Sequence, residues 1–225
     1  MKRYVLIVAG GQGLRMGGET PKQFLSLAGR PVLMHTLERF HLWDDSARLI
    51  VVLPPGQQEA WKRLCETFHC RLPHRLAVGG ESRFHSVSHG LELVVEEGLV
   101  AVHDGVRPFV SPSLISTCFA AAERHGAAIP VVPLTDSIRL LGEDEQTRPL
   151  DRSRYLAVQT PQVFRSELLR EAYRQAYLPS FTDDASVVEA TGALIHTVDG
   201  RRENIKITEP FDLLVAEALV KANTL

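Results

Sequence analysis

The chain has 225 residues, 44% of them hydrophobic and 23% charged, the balance of an ordinary globular protein long enough to bury a sizeable core. That composition excludes a disordered tail and a fibre. A formal net charge of −2 supplies no general attraction to nucleic acid or to an anionic membrane, so any anion site must be built locally. No apolar run approaches the ~20 residues needed to span a bilayer. The basic opening Met1-Lys2-Arg3 leads into Val5-Leu6-Ile7-Val8, as a signal peptide would. Gly10-Gly11-Gln12-Gly13 cuts that run at once, and it reads instead as a first strand. The three cysteines (Cys65, Cys70, Cys118) are an odd number without framework spacing and point to a reduced, cytoplasmic setting.

Tyr4 to Ala9 is a continuous apolar run, as in a strand buried on both faces. Pro31 then opens a predicted helix in which Leu33, Met34, Leu37 and Phe40 recur at helical spacing. Leu49 to Leu53 is a second strand, closed by Pro54-Pro55-Gly56. Trp61, Leu64, Cys65 and Phe68 mark another helix, and Val87, Leu91, Val94 and Val95 a third, with Gly98 as its stop. Leu99 to Val102 is a strand ending at His103-Asp104-Gly105. Pro112 to His125 reads as a helix, with Ser111 as N-cap and Gly126 past its end, and Ala127 to Val132 as a strand.

Segment 134–158 breaks the alternation. It is polar and charged, with a Gly142-Glu143-Asp144-Glu145 turn between two short β-like stretches. It reads as a hairpin arm projecting from a single domain spanning 1–225. A lone hairpin is marginal in water, so the arm should pack on something, such as a second subunit. Helices at Glu167–Tyr177 and Asp183–Ala190 follow, then a strand at Ala193–Val198, a short strand at Asn204–Ile207 and a closing helix from about Phe211. Strand and helix alternate almost throughout, which predicts an α/β fold: a mostly parallel sheet with helices on both faces.

Three clusters carry chemistry. The first runs from Ala9-Gly10-Gly11-Gln12-Gly13 through Arg15 to Pro21-Lys22-Gln23. Glycines after the first strand let backbone N–H groups approach phosphate oxygens, and Arg15 and Lys22 add positive charge. The P-loop pattern is absent. The dinucleotide fingerprint fails as well, because Met16 occupies its third glycine position and the second strand ends in Leu53-Pro54 rather than an acid. The second cluster is His103-Asp104-Gly105-Val106-Arg107-Pro108. A carboxylate at a strand's carboxyl end can hold Mg²⁺ against phosphates, or it can simply cap the turn and pair with Arg107. The third is Asn204-Ile205-Lys206-Ile207-Thr208, where Lys206 points away from its apolar neighbours.

Together, in this order, the clusters resemble the 2-C-methyl-D-erythritol 4-phosphate cytidylyltransferases of the non-mevalonate isoprenoid pathway. The likeness runs from Val8 to Asp212. It includes Gly79-Gly80-Glu81-Ser82-Arg83 with Ser86-Val87, Asp136-Ser137, Asp151-Arg152, Thr160-Pro161-Gln162 and Thr182-Asp183-Asp184-Ala185-Ser186. Three positions depart from the family's usual pattern: Ala9-Gly10 where two alanines are common, Ser137 for threonine and Glu81 for aspartate. The resemblance implies a Rossmann-like three-layer sandwich of the nucleotide-diphospho-sugar-transferase type. It implies that Ala9, Gly10, Gly11, Gln12 and Gly13, with Arg15 and Lys22, bind the triphosphate of CTP, and that Gly80 and Ser86 read the cytosine edge. Asp104 would bind Mg²⁺ beside the sugar phosphate, and Arg15, Lys22 and Lys206 would be the catalytic cations. Arg107, Ser137, Arg152 and Thr160 would hold methylerythritol phosphate. Across a homodimer built on the arm, Ser137 and Arg152 would serve the partner's site.

The implied reaction transfers CMP from CTP to methylerythritol phosphate and releases pyrophosphate. Ribitol-5-phosphate cytidylyltransferases share the loop, the His-Asp motif and the Lys206 segment, so another polyol phosphate is the alternative acceptor. A non-catalytic nucleotide-sensing module is the alternative of another class, opposed by the intact charges of Arg15, Lys22, Asp104 and Lys206. His85 and His89 have a zinc-compatible spacing but lack the glutamate of H-E-x-x-H, and they read as surface or packed residues. Cys65 falls in a helix's apolar stripe and reads as core. Asp183 and Asp184 read as first-turn carboxylates that complement a helix dipole, with Thr182 as cap.

Overall fold

The computed structural model of the chain describes residues 1–10, 20–142, 144–222 and 225. Its strands are β1 (Lys2–Val8), β2 (Ser26–Leu27), β3 (Arg30–Pro31), β4 (Arg48–Leu53), β5 (Arg75–Val78), β6 (Gly98–Asp104), β7 (Ala127–Pro133), β8 (Ile138–Leu141), β9 (Thr147–Leu150), β10 (Leu156–Val158), β11 (Gln162–Arg165) and β12 (His196–Asp199). Its helices are α1 (Val32–Trp43), α2 (Gln58–Thr67), α3 (Arg83–Leu91), α4 (Pro112–His125), α5 (Ser166–Ala172), α6 (Asp184–Glu189) and α7 (Pro210–Lys221).

An eight-stranded sheet dominates, running β7-β11-β6-β1-β4-β5, with β10 and β12 also paired to β7. β4, β1 and β6 are mutually parallel, as are β4 with β5 and β7 with β12. Only β10 and β11 run antiparallel to their neighbours. The two-sided apolar runs explain the layering. Tyr4, Leu6 and Val8 of β1 face one core, with Val87 and Leu91 of α3, Leu169 of α5 and Val188 of α6. Val5 and Ile7 face the other, with Leu33, Leu37 and Phe40 of α1, Trp61 of α2 and Ile115 of α4. A third, smaller cluster joins Leu27, Val32, Val106, Phe109 and Ile207 to α7. Truncating a fully buried ring such as Phe40 to alanine in this packing costs about 3–5 kcal/mol.

Most predicted elements are present. α4 has the predicted bounds. The Ser111 hydroxyl accepts the Leu114 N–H at 3.2 Å, and Gly126 ends the helix at φ 89°, where a side chain would be strained. Several boundaries differ for local reasons. α3 stops at Leu91 because Leu93 and Val94 bond back three residues, to the Gly90 and Leu91 carbonyls, and tighten the chain out of the helix. Gly98 is therefore the first residue of β6, not a helix stop. α5 ends at Ala172 rather than Tyr177. Asp183, not Thr182, caps α6, in a reciprocal box with Ser186. Asn204–Ile207 is not a strand: Ile207 N–H reaches the Val106 carbonyl, but the Asn204 carbonyl is taken by Arg107 Nη1 at 2.8 Å.

The arm is shorter than 134–158. β8 and β9 form the hairpin, whereas β10 returns to the main sheet beside β7. β10 and β11 share one edge of β7 but are out of step: Val158 lies opposite Val131 and Val163 opposite Ala128. Five steps on one strand thus match three on the other; Gln159 N–H still reaches the Pro130 carbonyl at 2.8 Å, and the two surplus residues, Thr160 and Pro161, leave the ladder. β5, β10 and β11 were not legible as elements in the sequence.

Candidate active site

The chain leaves β1 toward β4 and β5 on one side, then returns to place β6 on the other. That reversal puts the carboxyl ends of β1 and β6 side by side, with Val8 opposite Asp104, where open α/β sheets bind ligands. A cavity of about 300 Å³ opens there, lined by Ala9, Gly10, Lys22, Gly80, Ser86, Arg83, Asp104 and Lys206 among others. A second, of about 260 Å³, is lined by Arg107, Gln159, Thr160 and Asp183, and again by Arg83, Asp104 and Lys206. The two cavities share a wall made of one carboxylate and two cations.

Asp104 is nearly buried, and three cations surround it. Lys206 Nζ stands 3.0 Å and Arg107 Nε 3.1 Å from Oδ2, and Arg83 Nε 3.9 Å from Oδ1. Burial alone would raise the carboxyl's pKa; the charges of Lys206, Arg83 and Arg107 more than reverse that and hold it well below the usual carboxylate range. Asp104 is thus an anion at any working pH.

The slack between β10 and β11 fixes Asp104 from behind. The Thr160 hydroxyl accepts the Asp104 N–H at 3.1 Å and lies 3.0 Å from His103 Nδ1. His103 Nε2 lies 3.1 Å from the Arg107 carbonyl, which can only accept. Nε2 therefore carries the ring proton, Nδ1 is the acceptor, and the Thr160 O–H donates to it. Burial first, then the Arg107 and Lys206 charges, push the His103 pKa down to about 4, so the ring is neutral and both nitrogens are committed. Asn204 and Gln159 hold the Lys206 segment from the same side. Asn204 Nδ2 donates to the Thr160 carbonyl at 2.8 Å, and Gln159 Nε2 to the Arg201 carbonyl at 2.7 Å.

In the first cavity, the Ser86 hydroxyl donates to the Ser82 carbonyl at 2.9 Å and accepts the Gly80 N–H at 3.1 Å. A Cβ on Gly80 would stand 2.4 Å from the His85 Cβ, so only glycine passes here. His85 and His89 are bonded locally, to Ser82 and to the Val78 carbonyl. The Gln23 side chain donates to Gln57 Oε1 at 2.6 Å and braces the turn that carries Lys22.

Of the residues singled out in the sequence, Ala9, Gly10, Lys22, Gly80, Ser86, Asp104, Arg107, Thr160 and Lys206 converge on the two cavities. Gly11, Gln12, Gly13 and Arg15 lie outside the described residues. Ser137 and Arg152 are exposed at the base of the arm and line neither cavity of their own chain; Arg152 Nη1 donates to the Thr135 carbonyl. Thr160 also anchors the site from behind. Its hydrogen and one lone pair are spent on His103 and Asp104, so it has no donor to give a phosphate. Gln159 and Tyr173 carry no signal in the sequence, and Asn204, Arg83 and Asp184 stand there as motif positions without the partners that the fold gives them. Asp184 does lie in the first turn of α6, but it is buried and ion-paired with Arg83 at 2.5 Å. No short-range pattern flags a pair 101 residues apart.

Two cavities that meet at a cation-ringed carboxylate suit a reaction between two phosphate-bearing molecules. On the switch point of this sheet, that arrangement defines an α/β nucleotidyltransferase. The profile of the family IspD, 2-C-methyl-D-erythritol 4-phosphate cytidylyltransferase, matches residues 4–222. The enzyme of that name from Phocaeicola vulgatus is 56% identical over 221 residues, covering 98% of this chain and 100% of its own. That from Bacteroides thetaiotaomicron is also 56% identical, over 220 residues, with the same coverage. The crystal structure of the Thermus thermophilus enzyme superposes with a TM-score of 0.81 at 38% identity, covering 98% of this chain and 100% of that one. The chain belongs to the 2-C-methyl-D-erythritol 4-phosphate cytidylyltransferase family.

Proposed function

We propose that the protein transfers CMP from CTP to 2-C-methyl-D-erythritol 4-phosphate, giving 4-diphosphocytidyl-2-C-methylerythritol and pyrophosphate. The observation that carries the reading is the shared wall of Arg83, Asp104 and Lys206 between the two cavities. CTP occupies the larger cavity, with its triphosphate against Ala9, Gly10 and Lys22 and its base toward Gly80 and Ser86. With its hydrogen committed to Ser82, the Ser86 oxygen has a lone pair for the 4-amino group of cytosine; uracil offers only an acceptor there. Gly11, Gln12, Gly13 and Arg15 are assigned to this phosphate site by their place in the sequence between Gly10 and Lys22. Arg107 orients the acceptor phosphate, and the spare lone pair of Thr160 accepts from an acceptor hydroxyl.

The chemistry needs no general base. A phosphate monoester has its second pKa near about 6 and is largely dianionic at neutral pH. Its oxygen attacks the α-phosphorus of CTP as the bond to the pyrophosphate oxygen breaks. His103 has both ring nitrogens committed to Thr160 and the Arg107 carbonyl, and Asp104 is already ionised. The barrier is the approach of two anions and the charge that grows on the leaving oxygens. Lys22, Lys206 and Arg15 offset that charge in a preorganised site.

Among the described residues no cluster of three or more histidine, cysteine or carboxylate groups is placed to hold a metal. Asp104 nevertheless fits a shared Mg²⁺: its Oδ1 receives no hydrogen bond from a described residue, and its nearest cation is 3.9 Å away. Mg²⁺ commonly takes one or two protein carboxylates and fills its shell with phosphate oxygens and water. When bound it would neutralise phosphate charge.

The exposed arm supports a homodimer in which Ser137 and Arg152 complete the acceptor cavity across the interface. No described helix is long and apolar enough to cross a membrane. The odd cysteine count supports a cytoplasmic setting. The test is pyrophosphate release from CTP and Mg²⁺ with methylerythritol 4-phosphate or ribitol 5-phosphate in parallel. Release with the first alone is expected. Release only with ribitol 5-phosphate would overturn the acceptor, and silence with both would overturn the activity.

A further inference from the structure

We propose that Arg83 is a phosphate-contacting cation serving both cavities, and that the buried Asp184, with Tyr173, is the positioning residue that holds it there. The proposal rests on the cytidylyltransferase reading and deepens it. Arg83 opens α3 and Asp184 opens α6, two helices brought together only by the fold. Arg83 Nη1 donates to Asp184 Oδ1 at 2.8 Å and Nη2 to Oδ2 at 2.5 Å, a two-pronged fork. The Tyr173 hydroxyl donates to the same Oδ1 at 2.6 Å. Tyr173 is itself pinned by stacking on Phe84, at 4.7 Å between ring centres, so the arrangement closes on the residue next to Arg83.

Asp184 is 0% exposed, while 28% of the Arg83 side chain remains open. A staple between two helices would be satisfied by any packed apolar pair, and a buried ion pair is a costly way to make one. The fork spends two of the five guanidinium N–H groups. The other three, on Nε and one on each Nη, are not spent on Asp184, and Arg83 lines both cavities. The fork also sets a distance. Arg83 Nε stands 3.9 Å from Asp104 Oδ1, too far for a hydrogen bond. Released from Asp184, the guanidinium would close on Asp104 and spend its charge there. Held back, it faces the place where the acceptor phosphate and the α-phosphate of CTP must approach each other. Burial opposes the charge on Arg83, and the adjacent Asp184 carboxylate outweighs it, so the guanidinium stays protonated.

The test is a double-mutant cycle read in kcat and in both KM values, with Tm recorded for each variant. Arg83→Ala is expected to lower kcat by about 10²-fold, the scale of one lost electrostatic contact in the transition state, with Arg83→Lys recovering part of it. Asp184→Asn should lower kcat about tenfold in the wild-type background and less than about twofold on top of Arg83→Ala, because it acts through Arg83. Tyr173→Phe removes one donor and keeps the ring. It should cost about threefold alone and nothing in the Arg83→Ala background, and it carries the cycle if Asp184→Asn does not fold. A kcat for Arg83→Ala within about twofold of wild type would overturn the proposal, as would losses that multiply independently. Wild-type protein is assayed first: its failure to turn over would refute the activity itself, whereas active wild type with an unchanged kcat in the variants refutes only the role of Arg83.

Discussion

Replacing Thr160 by valine keeps the shape of a buried side chain and deletes a single oxygen. That oxygen answers two groups, accepting the Asp104 N–H at 3.1 Å and donating to His103 Nδ1 at 3.0 Å. Both partners are buried, and neither can turn to water. Each orphaned group costs about 1–3 kcal/mol, so Thr160→Val should lose about 2–6 kcal/mol of stability. With a urea m-value of about 3 kcal/mol/M, suited to the upper end of small domains, the unfolding midpoint falls by about 1 M or somewhat more. Thr160→Ser restores the hydroxyl and should recover most of the shift. The assay is urea unfolding at pH 7 followed by circular dichroism, with kcat measured on the same samples. Loss of the anchor should lower kcat as well, since Asp104 sits on the wall between the cavities. A Thr160→Val midpoint within about 0.3 M of wild type would refute the wiring. An effect confined to the KM of the acceptor would show that the hydroxyl serves only the substrate.

Acid should weaken the fold through His103. Its pKa is depressed to about 4, so the unfolded chain, near 6.5, takes up a proton first, and stability falls as pH drops through that window. The loss between pH 7 and pH 5 is about 2 kcal/mol, and His103→Asn should flatten that part of the stability curve; an unchanged slope would count against the buried neutral ring. Asp104 adds a further loss only below about pH 4, because its folded pKa is the lower one and its stabilisation vanishes as the carboxylate of the folded state protonates. Lys22→Ala and Lys206→Ala should each cut kcat by about 10²-fold or more in the pyrophosphate assay, and near-wild-type turnover in both would remove them from the reaction. Leu140 and Leu141 are 43% and 67% exposed on the arm, and the double substitution Leu140→Asp/Leu141→Asp should yield a monomer by sedimentation with little activity. A fully active monomer would end the shared-site reading of Ser137 and Arg152.

The sequence by itself determined the alternation of elements, and with it the α/β layering. Two-sided apolar runs such as Val5–Val8 and Leu49–Leu53 can only be satisfied between helices, and α4 announces both its ends through Ser111 and Gly126. It also displayed the charges a phosphate site needs, because Lys22 and Asp104 sit at element ends and Arg107 and Lys206 in connecting segments, where local pattern is readable. What it could not display was long-range pairing. β10 and β11 are short and run against the parallel grain, and their two surplus residues become visible only in the register with β7. The same register gives Thr160 to His103 and Asp104, 57 and 56 residues away, and makes it an anchor of the site. The Arg83–Asp184 fork arises likewise, because α3 and α6 meet over the same face of the sheet. Hydrogen bonds and ion pairs depend on ångström distances across the fold, whereas apolar periodicity depends only on neighbours along the chain. The tertiary structure therefore decided how the site is held together, and the sequence had already decided where along the chain its charges lie.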